Sequence, residues 1–213
     1  MNSGFPFEVH VQKEDFKFAA SHFVAYEGYR ERIHGHNYKV GVRLLGEKIQ
    51  QDGYLLDFGD VKKAVRALCK SWNEHFICPM NSNVLQIQKF HYPPEENSDE
   101  EPNHLRLICE DGSMFTFPTS DCLLLPIVHA TTEEMSVYIF CQILEALKKN
   151  NVNLQDRGIH VLEITVQEAV GQESVFRCGV GETNVLERFL PKGGVVRTCD
   201  DFKIDFCPCC RKK

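Results

Sequence analysis

The chain is predicted to form an α+β domain in which antiparallel strands carry two helices. Segments of alternating apolar and polar residues come in pairs joined by turns, as in HVLEITVQEA followed by SVFRCGV. Two other segments, which begin near Asp57 and Thr131, repeat their apolar residues at helical spacing instead. Helices segregated between strand pairs are typical of an antiparallel α+β domain.

The composition is that of an ordinary globular protein. The 213 residues are 43% hydrophobic and 25% charged, enough for one large domain or two small ones. A net charge of −6 disfavours a nucleic-acid-binding function. We expect no membrane span, because no apolar run approaches the roughly 18 residues needed. The N-terminus lacks the layout of a signal peptide. We therefore expect the protein to be cytoplasmic and its ten cysteines to be free thiols.

The first half of the chain begins with strands. Residues 5–25 are expected to form a strand pair or one long bent strand. His36–Leu45 alternates clearly and is predicted to be a strand, which Gly46–Gly53 ends in a turn.

A first helix is expected to follow. Asp57 and Asp60 indicate its start, because acidic residues are favoured in the first turn. The helix is expected to end within residues 71–75. Its apolar positions recur at helical spacing, at Val61, Ala64 or Val65, Leu68 and Trp72.

The middle of the chain is expected to contain an insertion of an acidic loop and a hairpin, at about residues 82–121. His91–Asn103 is acidic, contains prolines and is nearly free of apolar residues, which indicates a surface loop. Asp111 and Gly112 separate HLRLICE from SMFTF, and Asp-Gly between alternating segments is a strong hairpin signal. A short buried run, LLLPIV, comes next.

A second helix is expected to begin after Thr131, because Thr131 and Glu134 have the spacing of a capping box. It is expected to end at Asn150 and Asn151, and a final hairpin turns at Gly171. The apolar stripe of the helix consists of Met135, Tyr138, Ile139, Ile143, Leu144 and Leu147.

The folded domain is predicted to cover residues 1–180. The tail, residues 181–213, has few apolar positions and is expected to be poorly ordered and to carry reactive thiols. A second zinc site or a redox role is the alternative, although C-P-C-C lacks the usual spacing of a zinc knuckle. The tail's cysteines are Cys199, Cys207, Cys209 and Cys210.

Three histidines indicate a metal site. His34 and His36 form an H-x-H pair, and on an extended strand two such side chains project from the same face. His22 lies twelve residues upstream and could complete the set from a neighbouring strand. Zinc bound by three protein nitrogens keeps a fourth position open, which is the catalytic arrangement.

These residues belong to a series of motifs that resembles the 6-pyruvoyl-tetrahydropterin synthase family, which also contains the 6-carboxytetrahydropterin synthases. The matching motifs occur in order within about residues 5–180. They are F-A-A-S-H (Phe18 to His22), H-G-H-N-Y (His34 to Tyr38), D-F-G-D-V-K (Asp57 to Lys62), E-H (Glu74 and His75), P-I-x-x-A-T-T-E-E (Pro126 to Glu134) and V-x-E (Val166 to Glu168).

The resemblance implies the tunnelling fold, in which an antiparallel sheet with two helices on one face assembles into a larger barrel. It also implies a homo-oligomer, either a trimer or a hexamer, and a small-molecule pterin substrate. The family's zinc ligands correspond to His22, His34 and His36.

The resemblance also implies the other residues of the site. Glu74 and His75 correspond to the family's acid–histidine pair, although the family usually has Asp at the first position. Glu168 would accept two hydrogen bonds from the pterin ring, and Glu163 on the same segment is the nearest alternative acid. The pterin's other edge would be lined by Thr131, Thr132 and Glu133.

One departure from the family bears on the reaction. The family's catalytic Cys precedes H-G-H by a few residues, but no Cys lies between His22 and His34. Glu31 lies close to that position, as in a subgroup of the family in which a glutamate replaces the thiol. A solvated charged turn is the simpler interpretation of Glu31, because it lies in the run R-E-R.

The subgroup's reaction is the preferred prediction. It converts 7,8-dihydroneopterin triphosphate mainly to 6-hydroxymethyl-7,8-dihydropterin by cleaving the side chain, with Glu31 as the base. The alternatives are triphosphate elimination to 6-pyruvoyltetrahydropterin, 6-carboxytetrahydropterin synthesis, or a non-catalytic pterin- or zinc-binding module.

Overall fold

The computed structural model describes residues 4–93 and 100–193, and the predictions for Cys199 and for residues 207–210 lie outside this part. Within it the chain forms two compact units. The first contains residues 4–20, 35–74 and 131–190, and the second contains residues 21–34, 75–93, 100–130 and 191–193.

The elements follow one another as β1 (Phe7–His22), β2 (Ala25–Tyr26), β3 (Tyr29–Arg30), β4 (His34–Gly46), α1 (Phe58–Trp72), β5 (His75–Pro79), β6 (Leu85–Phe90), β7 (His104–Cys109), β8 (Met114–Pro118), β9 (Cys122–Leu125), α2 (Thr132–Lys149), β10 (Ile159–Ala169), β11 (Gln172–Gly179) and α3 (Val185–Phe189).

The first unit is built on an antiparallel sheet. Its strand order is β11-β10-β4-β1, and β10 pairs antiparallel with both β4 and β11. Tyr38, Val40, Val42 and Leu44 alternate along β4 and are completely buried, because every second side chain of a strand faces the same side. This alternation turns β4 into one wall of the core.

Both long helices begin and end where the sequence predicts. The side chain of Asp57 accepts a hydrogen bond from the Gly59 N–H and caps α1, which ends at Trp72. The Thr131 hydroxyl accepts a hydrogen bond from the Glu134 N–H and caps α2 in the same way. Asn150 is the C-terminal cap of α2, as predicted.

Aromatic contacts hold the helices on the sheet of the first unit. The ring of Trp72 in α1 meets Phe18 of β1 edge-on at 5.2 Å and lies 6.1 Å from Tyr138 of α2. Phe140 of α2 meets Phe176 of β11 at 5.2 Å, also edge-on. The predicted α+β architecture is therefore confirmed.

A buried charge cluster lies on the sheet of the first unit. The Glu163 side chain is only 4% exposed, and its carboxylate accepts a hydrogen bond from Nε of Arg177 at 2.6 Å. Nη2 of Arg177 also contacts this carboxylate, and Nε of Arg43 lies 3.3 Å from it. Glu163 and Arg43 are direct partners in the β10–β4 register, so strand pairing places the two charges together.

Replacing Glu163 with Gln is expected to lower the free energy of unfolding by about 1–3 kcal/mol, because hydrogen bonds to a buried charge are lost. The half-exposed arginines can return to solvent, which limits the cost. Glu173→Gln on exposed β11 is the matched control and should change stability by at most about 0.5 kcal/mol. Urea denaturation of both variants tests this, and equal midpoints would contradict it.

The second unit contains a three-stranded antiparallel sheet, β6-β7-β8, where a hairpin is predicted. The predicted β7–β8 hairpin is confirmed, with its turn at Asp111 and Gly112. The additional strand, β6, comes from LQIQKF, and its partner lies beyond the acidic loop. Leu105 and Leu107 of β7 are completely buried in the apolar core of this unit.

A second difference from the predicted all-antiparallel pattern is the parallel pairing of β5 with β9 in the second unit. Phe76 lies opposite Cys122, and the register continues to Pro79 and Leu125. Both strands are short and lack clear alternation, so periodicity alone could not assign their direction.

Part of the predicted unstructured tail is helical. In α3, Val185 is 6% exposed and the ring of Phe189 meets Phe176 at 5.1 Å. The prediction that order ends at residue 180 is therefore wrong for this helix, because its few apolar side chains find partners. No helix in the described part of the chain is long and apolar enough to span a membrane.

Candidate metal centre and catalytic site

The structure brings His22, His34 and His36 together. One ring nitrogen from each lies within 4.8 Å of those of the others. His22 ends β1, whereas His34 and His36 lie on one side of β4, as the strand periodicity predicts. The rings of His22 and His34 are 4.5 Å apart.

Backbone carbonyls orient two of these imidazoles. Nδ1 of His22 lies 2.7 Å from the Ala130 carbonyl oxygen, and Nδ1 of His34 lies 2.8 Å from that of Arg32. A ring that donates Nδ1–H to a carbonyl presents Nε2 as its lone-pair nitrogen, which is the usual arrangement of metal-bound histidines. The donor set and its supporting contacts therefore fit a divalent metal such as zinc.

Glu168 lies beside the third histidine. Its carboxylate is 3.4 Å from Nε2 of His36 and accepts a hydrogen bond from the Tyr38 hydroxyl at 3.2 Å. The Tyr38 ring is completely buried and stacks on Phe18 at 5.0 Å. Glu163, by contrast, forms ion pairs with arginines. Of these two glutamates, Glu168 is therefore the one that lies next to a predicted metal ligand.

Glu31 follows β3 and is fixed to the chain just after His22. Its N–H donates to the Val24 carbonyl at 2.9 Å, and its carboxylate oxygen Oε2 accepts the Val24 N–H at 3.0 Å. Oε1 has no hydrogen-bonding partner among the residues that the structure describes. Glu31 is half-buried, so it is not the fully solvated side chain of a charged surface turn.

Glu74 and His75 form the connection between α1 and β5. Glu74 adopts a left-handed backbone conformation with φ of 63°, and its N–H donates to the Ala19 carbonyl at 2.7 Å. Its side chain is exposed, whereas His75 is half-buried at the start of β5. Their pairing as acid and histidine stays a prediction.

The segment after Ala130 provides the remaining predicted residues. Thr131 uses its hydroxyl to cap α2, and the Thr132 hydroxyl donates to the Glu133 carboxylate at 3.2 Å. Since Ala130 contacts His22, the start of this segment is anchored beside a predicted metal ligand.

The cysteines of the described part of the chain are poor nucleophiles. Burial raises the pKa of Cys69 to about 12 and the pKa of both Cys109 and Cys122 to about 11. Burial also raises the pKa of Cys141 to about 11. At neutral pH these thiols are protonated, and a thiol attacks only as its thiolate.

Two further residues of this region, Tyr38 and Arg30, were not predicted from the sequence to have a role. Tyr38 closes the H-G-H-N-Y motif, and strand alternation would have placed it on the same side as His36. Arg30 lies in the run R-E-R, and its partners are more than 80 residues away in the chain. No local pattern could have identified those partners.

The sequence matches the family model of 6-pyruvoyl tetrahydropterin synthase over residues 10–176. A Methanocaldococcus jannaschii protein that bears the name 6-carboxy-5,6,7,8-tetrahydropterin synthase is 28% identical over 164 residues, which are 76% of this chain and 89% of that protein. The Bacillus subtilis enzyme of that name is 34% identical over 93 residues, 43% of this chain and 60% of the enzyme.

Solved structures are similar as well. The 6-pyruvoyl tetrahydropterin synthase of Plasmodium vivax is 39% identical with a TM-score of 0.71, and the match covers 81% of this chain and 98% of that chain. Two further structures of the P. vivax protein carry a catalytic glutamate replaced by alanine or by cysteine. The family match, the shared fold and the extent of the shared sequence together establish that the chain belongs to the 6-pyruvoyl tetrahydropterin synthase family, a family of lyases.

Proposed function

We propose that the protein is a zinc-dependent enzyme that converts 7,8-dihydroneopterin triphosphate to 6-hydroxymethyl-7,8-dihydropterin by cleaving the side chain. The observation that carries the proposal is Glu31, a half-buried carboxylate in the segment where the family resemblance leads one to expect a thiol. The catalytic glutamate of the similar P. vivax protein supports a carboxylate in this role.

Zinc would be bound by His22, His34 and His36. Bound there, the ion would make the substrate's side-chain hydroxyls more acidic. The contacts of two ring nitrogens with backbone carbonyls would leave Nε2 of these imidazoles available to the ion.

Glu31 is proposed to take the proton of the C2′ hydroxyl. Its Oε2 is held by the Val24 N–H, and Oε1 serves as the proton acceptor. Loss of this proton turns C2′ into an aldehyde carbon and breaks the C1′–C2′ bond. The electron pair moves toward C1′ and the C6=N5 imine of the pterin, and C1′ then takes up a proton.

His75, oriented by Glu74, is proposed to handle a second proton, following the logic of a base and an orienting acid. Glu74 stands where the family usually has Asp, and its extra methylene changes the geometry of the pair. Its left-handed backbone turns the chain sharply between α1 and β5.

Glu168 is proposed to bind the pterin ring. A carboxylate can accept two parallel hydrogen bonds from N3–H and the 2-amino group, and the Tyr38 hydroxyl restrains this one. Thr131, Thr132 and Glu133 are proposed to line the pterin's other edge. We further propose a cytoplasmic homo-oligomer, either a trimer or a hexamer.

A second candidate is 6-carboxytetrahydropterin synthesis, which the names of the M. jannaschii and B. subtilis relatives favour. Glu31 in place of a thiol is the feature that counts against it, because the family's synthases use a catalytic Cys.

Mass spectrometry of the products tests the proposal. Zinc-loaded protein is incubated with 7,8-dihydroneopterin triphosphate. The expected products are 6-hydroxymethyl-7,8-dihydropterin and a two-carbon aldehyde that carries the triphosphate. A pyruvoyl product with released inorganic triphosphate would contradict the proposal. Bound pterin without turnover would favour a binding module instead.

A further inference from the structure

The segment Ala25–Glu31, here called the Glu31 loop, is too short to hold its own shape. It contains β2 and β3, which pair through only two residue pairs, Ala25 with Arg30 and Tyr26 with Tyr29. Two-stranded hairpins are marginally stable in water even when they are longer. Any fixed position of Glu31 must therefore come from contacts outside the loop.

Val24 provides two of these contacts, to the N–H and the carboxylate of Glu31, and the turn between β7 and β8 provides the others. The Glu110 carboxylate accepts the Gly28 N–H at 2.9 Å. The Asp111 carboxylate accepts Nε–H of Arg30 at 2.9 Å, and the Ser113 hydroxyl accepts from Nη2 of Arg30 at 3.0 Å. Three hydrogen bonds thus join the Glu31 loop to a turn more than 80 residues away in the chain.

Arg30 passes this restraint to Glu31 directly. Its Nη1 donates to the carbonyl oxygen of Glu31 at 2.7 Å. The three guanidinium nitrogens therefore contact Asp111, Ser113 and Glu31, a fork geometry that lysine cannot reproduce. The Arg30 side chain is only 18% exposed, and its guanidinium lies 5.4 Å from the Phe115 ring centre.

The β7–β8 turn is itself a firm support. The Cys109 N–H donates to the Ser113 carbonyl, and the Ser113 N–H donates to the Asp111 carboxylate, both at 2.9 Å. Gly112 adopts φ of 79°, which an L side chain would resist. Behind the turn, β7 is anchored by the buried core of its sheet.

Asp111 keeps its charge at neutral pH. Burial would raise its pKa, but the hydrogen bonds from Arg30 and Ser113 outweigh burial and lower the pKa below its usual value. A lowered carboxyl pKa means that the interaction is fully present above the unfolded value and is lost as the pH falls through the folded value. The contact is thus intact at neutral pH.

We propose that Arg30 and Asp111 are positioning residues for Glu31, so that the inserted three-stranded sheet fixes the catalytic base. The inference rests on the proposed function of Glu31. The β6-β7-β8 sheet would then hold the Glu31 loop, which is too short to be stable alone, in the position that the reaction needs.

The substitution Asp111→Asn tests the inference. It is expected to lower kcat about 10- to 100-fold, because a misplacement of about 1 Å can cost that much, while KM changes less than about threefold. Arg30→Lys should behave alike. Because the Asp111 side chain is half-exposed, the melting temperature of the Asp111→Asn variant should shift no more than that of the control variant described next.

The matched control is Asp15→Asn. Asp15 accepts Nε–H of Arg66 at 2.6 Å, an exposed pair of the same type in the other unit, and neither residue has a proposed role in the site. Unchanged kcat is expected for this variant. A kcat loss equal to that of Asp111→Asn would show a general effect of removing such pairs and would overturn the inference.

The double variant Glu31→Ala with Asp111→Asn separates this inference from the proposed function. If Asp111 acts through Glu31, the residual single-turnover rate should equal that of Glu31→Ala alone, because effects through one group are not additive. A further drop in the double variant, or full kcat in Asp111→Asn, would overturn the positioning role. Full activity of Glu31→Ala would instead overturn the proposed function.

Discussion

Replacing Glu31 with alanine is expected to reduce turnover of 7,8-dihydroneopterin triphosphate by about 10²- to 10⁴-fold, the usual contribution of a general base. Zinc content should stay the same, because Glu31 is not one of the clustered imidazoles. The fold should also persist, since the half-buried side chain contributes one hydrogen bond, to the Val24 N–H. Steady-state kinetics, together with metal analysis of the same preparation, measures both quantities.

Glu27→Ala is the matched control. Glu27 is an exposed carboxylate in the same Glu31 loop, so its removal changes the loop's charge equally without removing the proposed base. Wild-type turnover is expected. If Glu31→Ala and Glu27→Ala lose the same activity, the loop's charge matters rather than a specific proton acceptor, and the assignment of Glu31 fails.

The second large effect is expected for His34→Ala, which should leave the protein with far less than one zinc per chain after dialysis. Removing one imidazole leaves two protein ligands, whereas catalytic zinc sites usually have three. Activity should fall with the metal. The exposed His34 side chain makes little contribution to the core, so the melting temperature of the metal-free protein should barely change.

His10→Ala provides the comparison, because His10 is exposed and lies outside the cluster. Metal analysis by mass spectrometry should give the wild-type zinc content for this variant. Unchanged zinc in His34→Ala would show that the metal, if bound, is held elsewhere, and the proposed centre would have to be abandoned.

The helices show what the sequence can predict. Asp57 and Thr131 cap α1 and α2 as their positions indicate, because capping depends on residues two or three apart. The buried positions of α1 follow the helical period, which also depends only on residues close together in the sequence. Local rules therefore place the elements that flank the site.

The juxtaposition of two of the proposed metal ligands was predictable for a similar reason. His34 and His36 share a side of β4 through strand periodicity alone. Parity would also have separated the two glutamates of β10, because Glu163 and Glu168 are an odd number of residues apart and point to opposite sides. In the structure Glu163 lies with Arg43, and Glu168 lies with His36.

Long-range pairing is what the sequence could not provide. The strand β6 has its partner across the acidic loop, and β5 and β9 become parallel partners only in the folded chain. The contact of Arg30 with Asp111 depends on the same tertiary arrangement. These pairings result from the burial of whole surfaces. A local sequence pattern contains no information about them.

In the proposed reaction the C1′–C2′ bond of the substrate breaks and C1′ is then protonated. The reaction in D₂O tests it most directly, with the pterin product examined by NMR and mass spectrometry. We expect 6-hydroxymethyl-7,8-dihydropterin with one deuterium bound to C1′. A product that keeps all three side-chain carbons, or a hydroxymethyl group without deuterium, would contradict it.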